Sequence, residues 1–184
     1  MKMQKTEKQI REAYKNLTLL LIENGISITT MESATSGQIA SLITDTEGAS
    51  AIFKGAYVTY SNETKIQAGV SSDIIEKYSV YSEETARDMA AVCRKAFGAD
   101  IGIGVTGTTG NVDPENEDFS TPGRLYFAID YDMNVIKDSI EKNQKGTVSC
   151  VVDIPVQSNR LMYKLVAAYE IYGKLMELLS FTNK

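Results

Sequence analysis

The chain has 184 residues, of which 43% are hydrophobic and 23% are charged, a composition typical of a single globular domain. Its net charge of −5 argues against a broad nucleic-acid surface, because phosphate neutralisation requires clustered lysine and arginine. Apolar runs are too short to span a bilayer and the first eight residues lack the apolar core of a signal peptide, so we expect a cytoplasmic protein without a membrane partner.

The first half of the chain is predicted to alternate helices and strands. Apolar residues at helical spacing predict a helix over about 5–24, which Gly25 ends. A short β-branched strand at 26–31 leads into a turn of small polar residues at 32–37. The remaining elements of this half are a helix at 37–43, a loop at 45–50, a strand at 53–60 and a helix through 67 that Ser61 or Asn62 caps.

The second half begins with helices at 72–78 and 82–97, the latter capped by Ser82. The apolar run at 100–105 is typical of a strand that is buried on both faces. After a polar loop at 108–122, the pattern predicts strands at 125–130, 135–141 and 147–154, and a final helix at about 158–179 capped by Ser158. This order predicts one α/β domain over 1–184, with a mixed sheet and helices on both sides.

The absence of histidine limits the chemistry. No Ser-His-Asp site, Cys-His site or histidine-based zinc site can exist in this sequence, and two cysteines cannot supply a four-cysteine cage. Any hydrolytic chemistry must therefore use lysine, tyrosine, aspartate, glutamate or a carboxylate-bound metal.

The turn at 32–37 is the first candidate site. Ser33 lies where a strand gives way to a helix, so the helix N-terminus would offer N–H groups to an oxyanion or a phosphate. The alternative is that Thr35 and Ser36 only cap that helix. The spacing of these residues is compatible with both interpretations.

A serine and a lysine four residues apart form the second candidate. Ser61 and Lys65 share one helical face, and a desolvated lysine is the known substitute when a serine nucleophile has no histidine base. The alternative is that Lys65 is one more solvated lysine, as most of the 19 basic residues are expected to be.

Three further patterns carry weaker signals. The segment 102–107 satisfies G-x-G-x-x-G, but its glycines lie in a strand and a loop follows, so we reject a dinucleotide site; the hydroxyls and N–H groups of 106–110 still suit a polar substrate. The acidic loop 113–118 lacks EF-hand spacing, which favours a solvated loop over a cation site. Tyrosines of the last helix are expected to serve as core or dimer contacts; they are Tyr163, Tyr169 and Tyr172.

Three motifs, taken together, resemble a known family. Residues 31–37 (MESATSG) resemble A-E-S-C-T-G-G, residues 55–65 (GAYVTYSNETK) resemble G-x-V-x-Y-S-N-x-x-K, and residues 105–110 (VTGTTG) resemble V-T-G-I-A-G. These are motifs of the C-terminal domain of the competence/damage-inducible CinA family, and they occur in the family's order over nearly the whole chain. The resemblance implies a three-layer α/β/α sandwich with a mixed, mostly parallel sheet.

The resemblance also implies an activity, because stand-alone members of the family are nicotinamide mononucleotide deamidases. In this chain Ser33 would be the nucleophile and Lys65 its general base, with Tyr60 and Thr106 assisting. The products would be nicotinic acid mononucleotide and ammonia, and neither a metal nor another cofactor is implied. Residues expected to bind the substrate are Thr35, Ser36, Gly37, Asn62, Gly107 and Arg160.

Departures from the family motifs keep a second hypothesis open. The family's cysteine and first glycine are replaced by Ala34 and Ser36, and Ser158 stands where a phosphate-binding arginine is expected. Arg160 and Arg124 are the candidates to replace that arginine. The alternative to an enzyme is a catalytically silent relative that binds a nucleotide or a protein. A role beside DNA repair rests only on the family's name, and we expect no direct nucleic-acid contact and a homodimer or higher oligomer.

Overall fold

A five-stranded mixed sheet forms the centre of the protein. The computed structural model describes residues 5–132 and 146–180. Its strands are β1 (Ile28–Glu32), β2 (Phe53–Val58), β3 (Ile101–Gly107), β4 (Arg124–Tyr131) and β5 (Thr147–Asp153). The order across the sheet is β2-β1-β3-β4-β5, with β1 parallel to β2 and β3, and β4 antiparallel to β3 and β5. Among the strands that the structure describes, β4 alone runs against the other four, which confirms the mixed, mostly parallel sheet.

Helices cover both faces of this sheet, so the three-layer α/β/α arrangement is confirmed. They are α1 (Glu7–Asn24), α2 (Gln38–Thr44), α3 (Asn62–Gln67), α4 (Ser72–Tyr78), α5 (Glu83–Phe97) and α6 (Arg160–Ser180), with a 3₁₀ turn at Ala49–Ala51. Helices α1, α2 and α6 pack together over one face, and α5 lies across the other with α4 beside it. None of the helices described in the structure is both long and apolar enough to cross a membrane.

Two glycines of β3 allow α5 to lie unusually close to the sheet. A Cβ atom at Gly102 would lie 2.4 Å from the carbonyl oxygen of Ala90, and one at Gly104 would lie 2.2 Å from that of Ala86. Such distances cannot be relieved by a side-chain rotation, because the obstructing atoms are backbone. The first two glycines of G-x-G-x-x-G therefore serve packing, in agreement with rejection of a dinucleotide site.

The tyrosines of α6 contact residues of their own chain. The rings of Tyr169 and Tyr172 stack with centroids 5.5 Å apart, and Tyr172 lies 6.1 Å from Tyr14 of α1. Tyr14 is fully buried and donates a hydrogen bond from Oη to the carbonyl of Ala168 at 2.8 Å. Tyr163 is buried as well. These contacts favour the core interpretation of the tyrosines over the dimer interpretation.

The structure confirms some of the predicted helix caps and contradicts others. Ser61 begins α3 and Ser82 begins α5, each accepting the N–H of the residue three positions later. The prediction that Ser158 caps the last helix is wrong. The carboxamide oxygen of Asn159 accepts the N–H of Met162 at 2.9 Å, because the helix begins two residues later than Ser158. The predicted strand at 135–141 lies outside the described residues.

Candidate active site

The candidate site lies where three parallel strands end. Ser33 directly follows β1, the segment that holds Lys65 follows β2, and Gly107 is the last residue of β3. Because parallel strands present their carboxyl ends at one edge of the sheet, these segments meet there, as binding sites in α/β proteins commonly do. A cavity of about 470 Å³ opens at this edge.

Six of the ten predicted site residues line this cavity: Ser33, Tyr60, Asn62, Lys65, Gly107 and Arg160. The other four do not line it: Thr35, Ser36, Gly37 and Thr106. The hydroxyl of Thr106 is fully buried and donates to the carbonyl of Val80 at 2.9 Å. Thr106 therefore lies behind the cavity wall, where it ties β3 to the segment that precedes α5.

The predicted contact between the nucleophile and base candidates is present. Lys65 Nζ donates a hydrogen bond to Ser33 Oγ at 3.2 Å and a second one to the carbonyl oxygen of Thr59 at 3.0 Å. Ser61 does not take part in this contact, since its hydroxyl caps α3. The partner of Lys65 is thus the serine that lies 32 residues earlier in the chain.

Burial makes Lys65 a suitable base. Its side chain is 1% exposed, and this removal from water lowers the pKa of its ammonium group to about 8, partly opposed by the nearby carboxylate of Glu63. The two hydrogen bonds described above hold the amine in a defined place. An amine with this pKa is partly neutral near physiological pH, and only a neutral amine can accept a proton from serine.

The turn after Ser33 is held by a carboxylate that the sequence-based reasoning missed. Glu32 is fully buried, and its side chain accepts the N–H of Ile39 at 3.1 Å and the N–H of Ala40 at 2.9 Å. Glu32 therefore supplies the side-chain cap of α2, and the expectation that Thr35 and Ser36 cap this helix is wrong. The usable signal was an acidic residue shortly before a helix start, which the helix dipole favours.

Ser36 has a backbone role in the same turn. Its φ angle is +50°, in the left-handed region, and both its N–H and its hydroxyl donate to the carbonyl of Ser33 at 3.1 Å. The family motif has glycine here, which reaches this conformation without strain. The hydroxyl bond shows how a serine is accommodated. These two bonds also occupy the N–H and the hydroxyl of Ser36, which we had expected to bind the substrate.

One rim of the cavity carries Tyr60 and Arg160. Tyr60 is 65% exposed, and Arg160 Nη2 donates to its hydroxyl at 3.4 Å. The other candidate arginine, Arg124, does not line the cavity and forms a two-bond ion pair with Asp153 at 2.7 and 3.1 Å. Arg160 is therefore the better placed of the two arginines to meet an anionic group of a ligand.

The polar loop after β3 forms another part of the cavity wall. Tyr81 Oη donates to Asp113 Oδ2 at 2.6 Å, and the Asn116 amide donates to the same oxygen at 2.8 Å. These bonds lower the pKa of the Asp113 carboxyl, while burial and this carboxylate raise the pKa of Tyr81. Asp113 is thus anchored to the body of the protein. Among the described residues, no group of three acidic or cysteine side chains could hold a metal ion.

The fold and the site together define an α/β/α domain with a buried serine–lysine pair at the carboxyl edge of its parallel strands. Residues 10–152 match the family model described as the CinA C-terminal domain, and the chain belongs to this family. A structure of a competence-damaged protein (CinA) superfamily protein from Escherichia coli superposes with a TM-score of 0.77 at 26% identity, covering 96% of this chain and 95% of that one. A superfamily member from Klebsiella pneumoniae has the same fold, with a TM-score of 0.78 at 22% identity over 93% of this chain and 98% of the other.

Curated relatives with longer chains match part of this chain. A CinA-like protein of Chloroherpeton thalassium is 48% identical over 92 residues, which cover 50% of this chain and 22% of that protein. A CinA-like protein of Flavobacterium psychrophilum is 40% identical over 112 residues, covering 60% and 26%. The matching segment thus spans about a quarter of the length of these relatives.

Proposed function

We propose that this protein is a serine–lysine amidohydrolase that converts nicotinamide mononucleotide to nicotinic acid mononucleotide and ammonia. The hydrogen bond of 3.2 Å between Ser33 and a buried Lys65 is the observation that carries the proposal. It supports acyl transfer, because it joins a nucleophile to a base in a chain without histidine. The substrate comes from the family resemblance.

In the proposed reaction, Ser33 Oγ attacks the carboxamide carbon while its proton passes to neutral Lys65 Nζ. The tetrahedral intermediate then expels ammonia, which takes that proton as the C–N bond breaks, and an ester on Ser33 remains. Water attacks the ester with Lys65 again as base, and the acid leaves as Ser33 regains its proton. The backbone N–H of Ala34, the one residue of the turn 34–37 that lines the cavity, is the proposed oxyanion donor.

The proposed base is present in sufficient amount at neutral pH. With a pKa of about 8, roughly a tenth of Lys65 is neutral at pH 7, against less than roughly a thousandth for a solvated lysine. The carbonyl of Thr59 and the hydroxyl of Ser33 point the amine at the nucleophile, so the neutral fraction is already aligned. Burial thus supplies the basic form of Lys65, and its two hydrogen bonds supply the orientation.

Substrate binding is proposed to use the rim. The exposed guanidinium of Arg160 would receive the 5′-phosphate by charge-assisted hydrogen bonds, and Tyr60 beside it would contact the bound nucleotide. Asn62 and Gly107, which also line the cavity, would contact the remaining polar groups. A cavity of about 470 Å³ is within the range that holds small ligands.

Ammonia release from nicotinamide mononucleotide tests the proposal. We expect Ser33→Ala to abolish most of the release, whereas Ser41→Ala, an exposed serine on α2, should leave it unchanged. Activity should persist in a chelator, because the proposed steps use only side chains and water. Loss of activity in chelator with recovery on adding a divalent cation would overturn the metal-free mechanism.

A catalytically silent, nucleotide-binding protein is the second candidate. The observation that favours it is the turn itself, where the N–H of Ser36 is bonded to Ser33 and the N–H groups of Ile39 and Ala40 are taken by Glu32. Few donors then remain for an oxyanion. Calorimetric binding of the mononucleotide without ammonia release would decide for this candidate.

A further inference from the structure

We infer that Glu32 is a positioning residue: from behind the cavity, it keeps the Ser33 hydroxyl aligned with the Lys65 amine. The inference rests on the proposed function and extends it to a residue that does not line the cavity. Glu32 is the last residue of β1 and the immediate neighbour of Ser33, so whatever fixes Glu32 also fixes the start of the nucleophile turn.

The side chain of Glu32 joins strand β1 to helix α2. Its carboxylate receives three donors: the hydroxyl of Thr30 at 2.9 Å, the N–H of Ala40 at 2.9 Å and the N–H of Ile39 at 3.1 Å. The helix has no other side-chain cap, because its first flanking residue is Gly37. The turn 33–37 is therefore tied at both ends by one residue.

The backbone of Glu32 is clamped from both neighbouring strands. Its carbonyl accepts the N–H of Thr59 at 2.9 Å, and the N–H of Ser33 donates to the carbonyl of Val105 at 3.0 Å. The carbonyl of Thr59 in turn accepts from Lys65 Nζ, which also donates to Ser33 Oγ. A closed circuit thus runs from Glu32 through Thr59 and Lys65 to Ser33 and back to Glu32.

The donors around the side chain explain why a carboxylate is needed at position 32. The two helix N–H groups and the hydroxyl of Thr30 are all donors, and only an acceptor with two oxygens satisfies them together. A carboxamide in the same place would turn its NH₂ group toward one of these donors. The N-terminal end of α2 would then shift, and the Ser33 hydroxyl would lose its alignment with the Lys65 amine.

The test compares Glu32→Gln with Thr30→Val. The second variant removes one donor to the same carboxylate but leaves both bonds to α2, so it is a structural control within the network. We expect Glu32→Gln to lower kcat at least tenfold with KM changed less than about twofold, since position 32 does not line the cavity. Thr30→Val should keep kcat within about twofold.

Phosphonylation of Ser33 by a small fluorophosphonate provides a readout that does not depend on the substrate. In this reaction Ser33 Oγ displaces fluoride from phosphorus and its proton goes to Lys65. Measured by mass spectrometry, the labelling rate should fall at least tenfold in Glu32→Gln and stay within about twofold in Thr30→Val. A wild-type protein that is labelled at Ser33 but releases no ammonia would separate failure of the proposed function from failure of this inference.

Rates are compared per folded molecule, well below the unfolding midpoint of each variant. Equal labelling of wild type and Glu32→Gln would overturn the inference, and so would equal losses in Glu32→Gln and Thr30→Val. If Glu32→Gln does not fold, Glu32→Asp is tested in its place, with the same expected changes in kcat, KM and labelling rate. The shorter side chain keeps the charge but falls about one carbon–carbon bond short of the N–H groups of α2.

Discussion

Replacing Lys65 by methionine is expected to abolish activity and yet to stabilise the protein at neutral pH. Methionine has a similar length and no charge, so it can fill the site of a side chain that is 1% exposed. The folded state lowers the pKa of Lys65 from about 10.5 to about 8 by burial, which means that the unfolded chain binds the proton more tightly. Below pH 8 the protein therefore carries the cost of a buried charge.

The magnitude follows from the two pKa values. At pH 7 the lowered pKa of Lys65 costs about 3 kcal/mol of unfolding free energy, and at pH 9.5 about 1 kcal/mol. Methionine removes this cost but leaves the Thr59 carbonyl and the Ser33 hydroxyl without a donor, a loss of about 1 kcal/mol each. The net effect of Lys65→Met is a stabilisation of about 1 kcal/mol at pH 7.

The decisive measurement is how the difference in stability changes with pH. Urea denaturation of wild type and Lys65→Met should show the advantage of methionine shrinking by about 2 kcal/mol between pH 7 and pH 9.5. Lys54→Met, at an exposed position on β2, should show no such trend. A difference between Lys65→Met and wild type that is constant over this range would refute the reasoning, because it would mean that the pKa of Lys65 is not lowered.

Three further predictions concern the proposed reaction and the assembly. Initial-rate measurements should show kcat/KM rising about tenfold per pH unit and levelling off above about pH 8, as the Lys65 amine loses its proton; a profile flat from pH 6 to 9 would exclude Lys65 as the base. Steady-state kinetics of Arg160→Ala should show KM for the mononucleotide raised, with a loss of about 1.5–3 kcal/mol of binding and little change in kcat, because the phosphate lies far from the reacting carbon. Arg124→Ala is the matched control, since Arg124 is paired with Asp153, and equal kinetics in both variants would contradict a phosphate role for Arg160. Light scattering should give the mass of a homodimer or larger assembly, an expectation that now rests on the family resemblance and not on the tyrosines of α6; a mass near 20 kDa at micromolar concentration would refute it.

Elements with a clear apolar period were predictable from the sequence. The pattern of α1 and α5 placed both helices within two residues of their ends, because buried positions recur on one face and Gly25 and Gly98 stop the helices. The buried strand β3 was also found, since its residues are apolar on both faces. Helix caps were harder to predict, because several polar residues near each helix start could serve as the cap. At α6 the capping residue is Asn159.

The candidate site was only partly predictable. The proximity of Ser33 and Lys65 depends on β1 and β2 being adjacent and parallel, which local spacing does not encode; the family motifs supplied that pairing. The part played by Glu32 was missed because it lies six residues before the first residue of the helix that it caps, outside the usual capping positions. Thr106 was expected to assist the reaction, but the register of β3 places its hydroxyl against Val80.

The close approach of α5 to β3 determines which parts of the protein can unfold locally. At Gly102 and Gly104 the helix backbone touches the strand with no intervening side-chain layer, so neither element can slide or tilt without a collision. Helix and strand should therefore exchange their amide hydrogens as one cooperative unit with high protection. Motions that admit a ligand are then confined to the segments beyond the strand ends, such as the loop that carries Asp113, and these should exchange faster and independently of the unit formed by α5 and β3.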